Sequence, residues 1–305
     1  SNISANEDSV FVAAYDRVLQ LDAQTGRTRR EFRVPRAPGT KALRWGNISV
    51  DGDTLFGTGA APLANEYGHL WNALVKNGEW VDEADAPKEA LARFKTIKAS
   101  YPRPDDRAYE YFKRAGLHWH SINTFPGWMP DFKPSPVTDT IMLSEKVFGY
   151  DIPTGELLWE HAGKSIPNIS MVIGGDRVFF LQDDLNETER QEAREAVRAS
   201  IEGGSYIPEG EQQLAEKDRD VRRVVCLNAK TGEELWNRPQ DLSGSGGTKL
   251  GLAYQDGKLL FFGHYSNHDE GPFNKGELSW RRITVLQGES GSLLWSKPLN
   301  YRRRP

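Results

Sequence analysis

Two histidines separated by a single residue are the clearest candidates for metal chemistry in this chain. His118 and His120 flank a tryptophan, and on an extended segment side chains two residues apart point to the same side. Imidazole groups at this spacing can bind a transition metal when another part of the chain supplies a third ligand. The candidates for that ligand lie together in a later segment: His264, His268, Asp269 and Glu270. The alternative interpretation is a pair of partly buried histidines in an aromatic-rich segment.

Other familiar catalytic patterns do not occur in the sequence. Cys226 is the single cysteine, which excludes an internal disulfide, a CxxC zinc site and a CxxCH haem attachment. Its apolar neighbours predict a buried strand residue. Residues 244–249 are rich in glycine, but they lack the spacing of a phosphate-binding loop and no helix is predicted after them. No Ser/His/Asp arrangement suggests nucleophilic catalysis.

The composition describes a globular protein and restricts its partners. Of 305 residues, 38% are hydrophobic and 27% are charged, and the formal net charge is -4. This charge gives no general attraction to nucleic acid or to an anionic membrane surface. No run approaches the roughly 18 apolar residues of a membrane span. We therefore expect neither a nucleic-acid partner nor a membrane-spanning segment.

A six-residue string that occurs four times indicates a repeat architecture. It ends in Thr-Gly or Ser-Gly and covers residues 21–26, 150–155, 227–232 and 286–291. In the last three copies a tryptophan follows the glycine by four residues: Trp159, Trp236 and Trp295. The first copy has no tryptophan there, and Phe32 is its nearest aromatic residue. We expect the Asp or Asn of the string to cap a turn and the glycine to adopt a left-handed conformation.

Each copy belongs to a unit of four predicted strands. A polar turn leads into a short apolar run, typical of a strand, at residues 10–12, 55–57, 178–180 and 259–262. An Asn-Ile-Ser triplet before the turn marks the first strand in three units, at residues 2–4, 47–49 and 168–170. One four-stranded sheet cannot bury both of its faces, so we expect the sheets to stack radially as a β-propeller, each tryptophan covering a neighbour. The predicted blades cover about 1–45, 46–165, 166–245 and 246–300.

The repeat resembles that of pyrroloquinoline quinone (PQQ)-type β-propellers, in which a Val-Phe-Val strand precedes Leu-Asp-Ala-x-Thr-Gly-x-x-x-Trp. This family includes quinoprotein alcohol dehydrogenases and the propeller lipoprotein of the outer-membrane assembly machinery. The resemblance covers the strands of all four units and implies an all-β, bacterial, periplasmic or extracellular protein with a ring of about seven or eight blades. The four units would then be part of a larger propeller, completed by further blades from the same or another chain. A closed four-bladed ring is the alternative.

The units differ in length at one place, the loop between the second and third strands. Residues 60–145 form the insertion of the second unit and residues 183–222 that of the third, and a shorter one lies at 263–282. Capping residues and apolar spacing predict helices at about 85–100, 104–114 and 186–201, the last of them charged. This loop leaves from the side of the blade-to-blade links, opposite the Thr-Gly turns. We call the two sides the insertion-bearing face and the turn face, and we expect binding on the first, since loops on a rigid scaffold usually carry it.

Polar residues near the start of the innermost strands are the second group of candidates. They are Arg44, Trp45 and Asn47 in the second unit, Asn168 in the third and Lys249 in the fourth. The first strand of a blade lines the central channel, so these side chains would ring its mouth on the insertion-bearing face. In quinone-binding members of the family, polar residues there hold the anionic cofactor and a calcium ion. The alternative is that the asparagines satisfy backbone groups at the start of a strand.

Two main functional hypotheses follow. The first is a binding or scaffolding module outside the cytoplasm, with a protein partner, or a small-molecule or carbohydrate ligand, on its insertion-bearing face. The second, implied by the resemblance, is a quinoprotein oxidoreductase in which PQQ accepts electrons from an alcohol or sugar. There, calcium would polarise the quinone and an Asp would act as general base.

The sequence favours the first hypothesis over the second. Quinoprotein dehydrogenases commonly carry two adjacent cysteines against the cofactor, which one cysteine cannot supply. Their catalytic Asp also has no clear counterpart here. A weaker third hypothesis is a metal-dependent lyase or hydrolase built on the histidines.

Overall fold

The computed structural model describes residues 2–14, 16–39, 43–60, 75–76, 79–80, 84–88, 92, 143–167, 170–182, 184–200, 221–242, 245, 250–263 and 282–298. These residues form four four-stranded antiparallel sheets, a two-stranded ribbon and an α-helix. Most of the predicted insertion at 60–145 lies outside the described residues, including the helix expected at about 104–114 and most of the one expected at about 85–100. The described residues contain no helix with the length and apolar character needed to span a membrane.

Each sheet is built from strands that follow one another along the chain. The first contains β1 (Ile3–Ala5), β2 (Ser9–Ala14), β3 (Arg17–Asp22) and β4 (Thr28–Arg33). The second begins with β5 (Trp45–Asp51) and β6 (Thr54–Ala60); after the ribbon strands β7 (Val75–Lys76) and β8 (Glu79–Trp80) it continues with β9 (Leu143–Asp151) and β10 (Leu157–Pro167). The third contains β11 (Val172–Gly174) and β12 (Arg177–Gln182) and then, beyond the helix α1 (Glu187–Ser200), β13 (Val221–Asn228) and β14 (Glu234–Asp241). The fourth contains β15 (Leu250–Gln255), β16 (Lys258–Gly263), β17 (Arg282–Gln287) and β18 (Leu293–Pro298).

The strand order is that of four propeller blades. In every four-stranded sheet, neighbours along the chain are also hydrogen-bonded neighbours in the sheet. The first strands β1, β5, β11 and β15 contact one another in succession, so they lie inside and the fourth strands form the outer rim. The predicted all-β fold of four-stranded propeller blades is therefore confirmed. We number the blades one to four, and the long insertions leave each of the last three between its second and third strands.

The repeated string forms the turn between the third and fourth strands, as its composition predicts. In blade one, Oδ1 of Asp22 accepts hydrogen bonds from the backbone N–H groups of Gln24 (3.1 Å) and Thr25 (2.7 Å). The N–H of Gly26 donates to the Asp22 carbonyl at 2.9 Å, and its φ of 68° is left-handed. A residue with a side chain would be strained at this φ. The equivalent glycines have φ values of 79°, 70° and 70°: Gly155, Gly232 and Gly291.

A side chain four residues after the turn glycine fastens each blade to the next one. Trp159 of blade two donates its indole N–H to the carbonyl of Ala229 in the turn of blade three, at 2.9 Å. Trp236 of blade three makes the same bond to Gly288 of blade four, at 3.0 Å. A methyl group on Gly232 would lie 2.6 Å from the Trp159 ring, so the ring needs a glycine beneath it. We call this contact, made to the carbonyl three residues before the next turn glycine, the turn lock.

Blade one makes its turn lock with arginine instead of tryptophan. Arg30, four residues after Gly26, donates from its guanidinium to the Ile152 carbonyl of blade two at 3.0 Å. The guanidinium lies directly over Gly155, as an indole ring does in the other locks. Phe32, the nearest aromatic residue in the sequence pattern, is instead buried in the core between blades one and two. A planar donor is what the contact requires, and arginine supplies one.

A hydrophobic cluster fills the space between each pair of neighbouring blades. Between blades two and three, Phe56 and Trp159 pack with Val178, Phe180 and Leu227. The cluster between blades three and four is built in the same way, from Phe179, Leu181, Val224, Cys226, Leu259, Phe261 and Leu286. Blades two and three are therefore covered on both faces, which is where burial of apolar area stabilises the fold.

Replacing Trp159 with alanine removes a turn lock and leaves a cavity between blades two and three. We expect the free energy of unfolding to fall by about 3–5 kcal/mol, the usual cost of truncating a buried Trp to Ala. Denaturant unfolding followed by circular dichroism measures it. The adjacent Leu158 is exposed, so Leu158→Ala is the matched control and should change stability by less than about 0.5 kcal/mol. Equal effects of the two substitutions would contradict the role of the lock.

Candidate functional site

The structure describes three of the five predicted channel-mouth residues, and they have different environments. Trp45 is buried between blades one and two, with its ring edge-on to Phe148 at 4.9 Å between centroids. Within the described residues its indole N–H has no hydrogen-bond acceptor. Asn47 is also buried, and its Oδ1 accepts a hydrogen bond from the N–H of Ile48 at 3.0 Å. Arg44 is exposed.

The strand register changes the position that the sequence pattern assigned in blade three. From Val172 onward, β11 pairs with β12 in the same register in which β5 pairs with β6 from Ser49 onward: Val172 lies opposite Phe179, and Ser49 lies opposite Phe56. Counting back two residues makes Ser170, not Asn168, the equivalent of Asn47. The third Asn-Ile-Ser triplet is therefore displaced by two residues from the blade position of the other two, and its match to them is coincidental.

The residues at this blade position satisfy backbone groups near the start of the first strand. The hydroxyl of Ser170 donates to the Pro167 carbonyl (2.6 Å) and accepts from the N–H of Leu181 (3.1 Å). In blade two the N–H of Asn47 donates to the hydroxyl of Thr58 at 2.8 Å. In blade four the same count gives Gly251, two residues after the predicted Lys249. Asn47 thus makes the backbone contacts that the structural interpretation expects, and a ligand site at the channel mouth stays a prediction. Asn168 and Lys249 themselves lie outside the described residues.

The predicted metal ligands cannot be placed in the same way. His118, His120, His264 and His268 all lie outside the described residues. Among the residues that the structure does describe, no group of three His, Cys, Asp or Glu side chains could hold a metal ion. The metal site stays a prediction.

Helix α1 is the part of the insertion-bearing face that the structure describes in most detail. It begins with a capping box: Oδ1 of Asn186 accepts from the N–H of Glu189 (3.0 Å), and the N–H of Asn186 donates to Glu189 Oε2 (2.9 Å). On its buried side Ala193 packs with Leu185 and Val221. The helix contacts β14 and β18, so it lies along the outer rim of blades three and four.

Arginine side chains hold α1 against blade three. Arg223 on β13 donates to Oδ1 of Asp184 and to Oε1 of Glu189, both at 2.7 Å. We call these three residues the arginine clasp. Arg190 on α1 donates to the Val221 carbonyl at 2.6 Å and is itself buried. The N–H of Asn186 and the guanidinium of Arg223 hold the pKa of Glu189 below its usual value, so the clasp stays charged at neutral pH.

The outward side of α1 is acidic. Glu192 and Glu195 are exposed, and Glu195 accepts a hydrogen bond from Gln191 at 2.8 Å. The whole segment 183–222 contains twelve Asp and Glu residues against six Lys and Arg residues. Since the chain has a net charge of only -4, this insertion is more acidic than the rest of the molecule.

Blade four carries a buried polar network at its insertion-bearing end. Arg282, at the start of β17, donates to the hydroxyl (2.9 Å) and the carbonyl (2.8 Å) of Ser296. The Ser296 hydroxyl is 3.0 Å from that of Thr284, which is 2.8 Å from the hydroxyl of Ser245. All four residues are buried. Such a network fixes the strand ends from which the insertion departs.

Sequence reasoning missed the two features that organise this end of the molecule. Nothing local marks Arg223 as a clasp residue, because Asp184 lies 39 positions away from it along the chain. The burial of Trp45 was missed for a different reason. Its neighbours Arg44 and Asn47 are polar, which suggested a surface position, whereas β5 turns the tryptophan into the core between two blades.

Replacing Arg223 with methionine keeps the length of the side chain and removes the clasp. We expect α1 to stay helical because its capping box is intact, and to separate from blade three more often. Amide hydrogen exchange in residues 187–200 should become about tenfold faster, while exchange in β12 and β13 changes little. Lys230→Met is the control, since Lys230 pairs with Asp176 on the turn face at 3.7 Å and both are well exposed. Unchanged exchange in α1 would show that the clasp does not hold it.

The chain is similar to known proteins in its fold and, over part of its length, in its sequence. No curated protein matches the sequence significantly. Among solved structures the chain is similar to BamB from Moraxella catarrhalis, with 10% identity and a TM-score of 0.38 over 98% of this chain and 52% of that one. It is also similar to a europium-containing methanol dehydrogenase (11% identity, TM-score 0.40, 97% of this chain and 41% of that one). A third similar structure is Kuenenia stuttgartiensis hydrazine synthase (8% identity, TM-score 0.38, 93% of this chain and 50% of that one).

The chain spans about half the length of the BamB structure that it matches. Residues 143–304 match the family model described as outer membrane protein assembly factor BamB. The matched segment is more than half of the chain and runs from β9 through β18. On this match the chain belongs to the BamB-like family of PQQ-type repeat propellers, which confirms the resemblance read from the repeated string.

Proposed function

We propose that this chain is a binding and scaffolding module that acts in the periplasm or the extracellular space of a bacterium and holds a protein partner on its insertion-bearing face. The observation that carries the proposal is the arginine clasp. It fixes α1 to the rim of blades three and four with its acidic side outward. A helix held in this way is a preformed contact surface and loses little conformational freedom on binding.

The asymmetry between the two faces supports the choice of surface. On the turn face, the turns between third and fourth strands of blades two, three and four are short, and each accepts a turn lock from the preceding blade. An insertion there would disturb the contact between blades. The loops on the opposite face carry no such constraint, so this is where the scaffold can present additional residues.

The charge of the third insertion indicates the kind of partner. An excess of six acidic residues in segment 183–222 attracts a basic protein surface, and charge complementarity raises the association rate and fixes orientation. We infer that the partner contacts α1 through a basic patch and that binding weakens with salt, because exposed charges are screened over about 8–10 Å at physiological ionic strength.

The proposed location follows the family. The family is that of an outer membrane protein assembly factor, and a protein acting on that membrane works outside the cytoplasm. A small-molecule or carbohydrate ligand is the alternative to a protein partner.

Site-specific photo-crosslinking tests the proposed surface. A crosslinking amino acid at position 192 or 195 should capture a discrete protein in the bacterium that carries the gene, and position 230 on the turn face should not. Adding Glu195→Lys to the position-192 probe should reduce the adduct severalfold, and so should high salt. An adduct from position 230 alone, or one indifferent to Glu195→Lys, would overturn the proposal.

A PQQ- and calcium-dependent oxidoreductase is the alternative function, and two of the three described channel-mouth residues are engaged in other contacts. Asn47 uses its amide oxygen on a backbone N–H, and Trp45 lies in a core. Cys226 is buried between blades, where desolvation raises the pKa of its thiol to about 12. No reaction step can be built from these groups.

The alternative is tested by adding PQQ and calcium to the purified chain. We expect no thermal stabilisation and no dye-linked oxidation of alcohols or sugars. Stabilisation together with dye reduction would replace the binding-module proposal with the dehydrogenase.

A further inference from the structure

We propose that His161 makes the contact between blades two and three sensitive to pH: when its imidazole ring takes up a proton, blade two packs less firmly against blade three. This contact lies between two neighbouring blades whose facing sides are both described, and it is separate from the partner surface proposed above. Where the ring lies, and which charged groups surround it, decide the direction of the effect.

The ring of His161 lies between blades two and three. His161 follows the turn-lock residue Trp159 by two positions on β10, so both side chains leave the strand on the side of blade three. The His161 ring is edge-on to that of Phe180, with 5.7 Å between the ring centroids. Phe180 is fully buried in the cluster between these blades, and His161 is half-buried. The imidazole is therefore partly removed from water against an apolar core.

The other blades carry different side chains at this position, six residues after the turn glycine: Phe32, Arg238 and Lys297. Phe32 is uncharged and buried between blades one and two. Arg238 is a permanent cation, and its Nε donates to the Ser290 carbonyl of blade four at 2.7 Å. The described residues make no hydrogen bond with the His161 ring. A neutral imidazole thus packs as Phe32 does, whereas a protonated one carries a charge without the acceptor that Arg238 has.

Glu234, at the start of β14, is the described acid whose charge acts on the His161 ring. Its carboxylate is already engaged, because its Oε1 accepts a hydrogen bond from the side-chain amide of Asn237. The Oδ1 of Asn237 accepts in turn from Arg223 of the arginine clasp, at 3.1 Å. Glu234 is also exposed, so its charge is screened by water. It compensates a proton on the imidazole only in part.

The other strands packed against β10 bring no dedicated counter-ion to the imidazole. On β9 the residue paired with His161 is the buried Val147, and Glu145 at the bulged end of that strand is exposed. Lys146 and Glu160 alternate to the other side of the sheet and pair with each other at 3.1 Å. On β12 the charged residue is Arg177, which is three positions from Phe180 and so points to the opposite side of its strand.

These surroundings determine how stability depends on pH. Desolvation lowers the pKa of His161 below its usual value of 6.5, and the charge of Glu234 opposes this effect only in part. Below about pH 6.5 the unfolded chain therefore binds more protons at this residue than the folded one, and the free energy of unfolding falls. Well above that pH the ring is neutral in both states and contributes no pH dependence.

Urea unfolding of the 305-residue chain at about pH 7.5 and about pH 5.5, followed by circular dichroism, tests the proposal. His161→Gln is the matched control, because it keeps a polar planar group and cannot titrate. The unfolding equilibrium constant of the wild type, divided by that of His161→Gln, should rise severalfold on acidification, and by at most about tenfold. His161→Phe, which supplies the ring found in blade one, should respond to pH as His161→Gln does.

Nuclear magnetic resonance measures the same proton directly in the wild-type chain, so the test stands even where a variant fails to fold. The ring signals of His161, assigned by their loss in either variant, should titrate with a midpoint below 6.5. A midpoint at or above that value, or a wild type whose stability follows that of His161→Gln, would overturn the proposal. So would a wild type that gains relative stability in acid, because the protonated ring would then have found an acceptor. Crosslinking from positions 192 and 195, carried out at neutral pH, is unaffected by any of these results.

Discussion

The close approach of each blade's outer strand to the turn of the next blade is the contact on which the rest of the structure depends. A blade is a four-stranded sheet with two apolar faces, and neither face is stable in water until another blade covers it. The turn lock determines how the faces meet, because its donor reaches one particular carbonyl while its planar group lies on the turn glycine. Glycine thus meets two requirements at one position: a positive φ within the turn and an absent side chain beneath the neighbouring ring.

This constraint separates the two faces of the molecule. Because the turns between third and fourth strands are part of the blade-to-blade contact, they keep nearly constant length and hydrogen bonding. The large differences in length between blades lie in the loops between second and third strands, on the insertion-bearing face. An insertion there needs only its own contacts with the blade. Helix α1 shows how such an insertion is added: a capping box stabilises its start and the arginine clasp attaches it to the rim. The pairing of β12 with β13 beneath it continues without a register shift.

The candidate site was only partly predictable from sequence. The turn lock could be inferred for Trp159 and Trp236 because the tryptophan recurs at a fixed distance from the glycine. Arg30 makes the equivalent hydrogen bond in blade one, but it is not aromatic and so does not match the repeated pattern. The channel-mouth positions were assigned by matching Asn-Ile-Ser triplets, and the third match is out of register by two residues. A matching triplet shows only that three side chains are the same. The register of the first strand depends on the length of the turn that follows it and on how it pairs with the second strand.

What the sequence by itself determined is local: the turn, the strands on either side of it, the helix at α1 and the place of the insertions. These depend on hydrogen bonds and side-chain alternation within a few residues, so their signal lies in the string itself. The tertiary structure alone decided which faces are covered and which side chains reach across. Arg30 bonds a carbonyl 122 positions away, and Trp295 is exposed although its sequence context matches that of the buried Trp159. Similar local sequence gives different burial because burial depends on a neighbouring blade, which no short stretch of sequence contains.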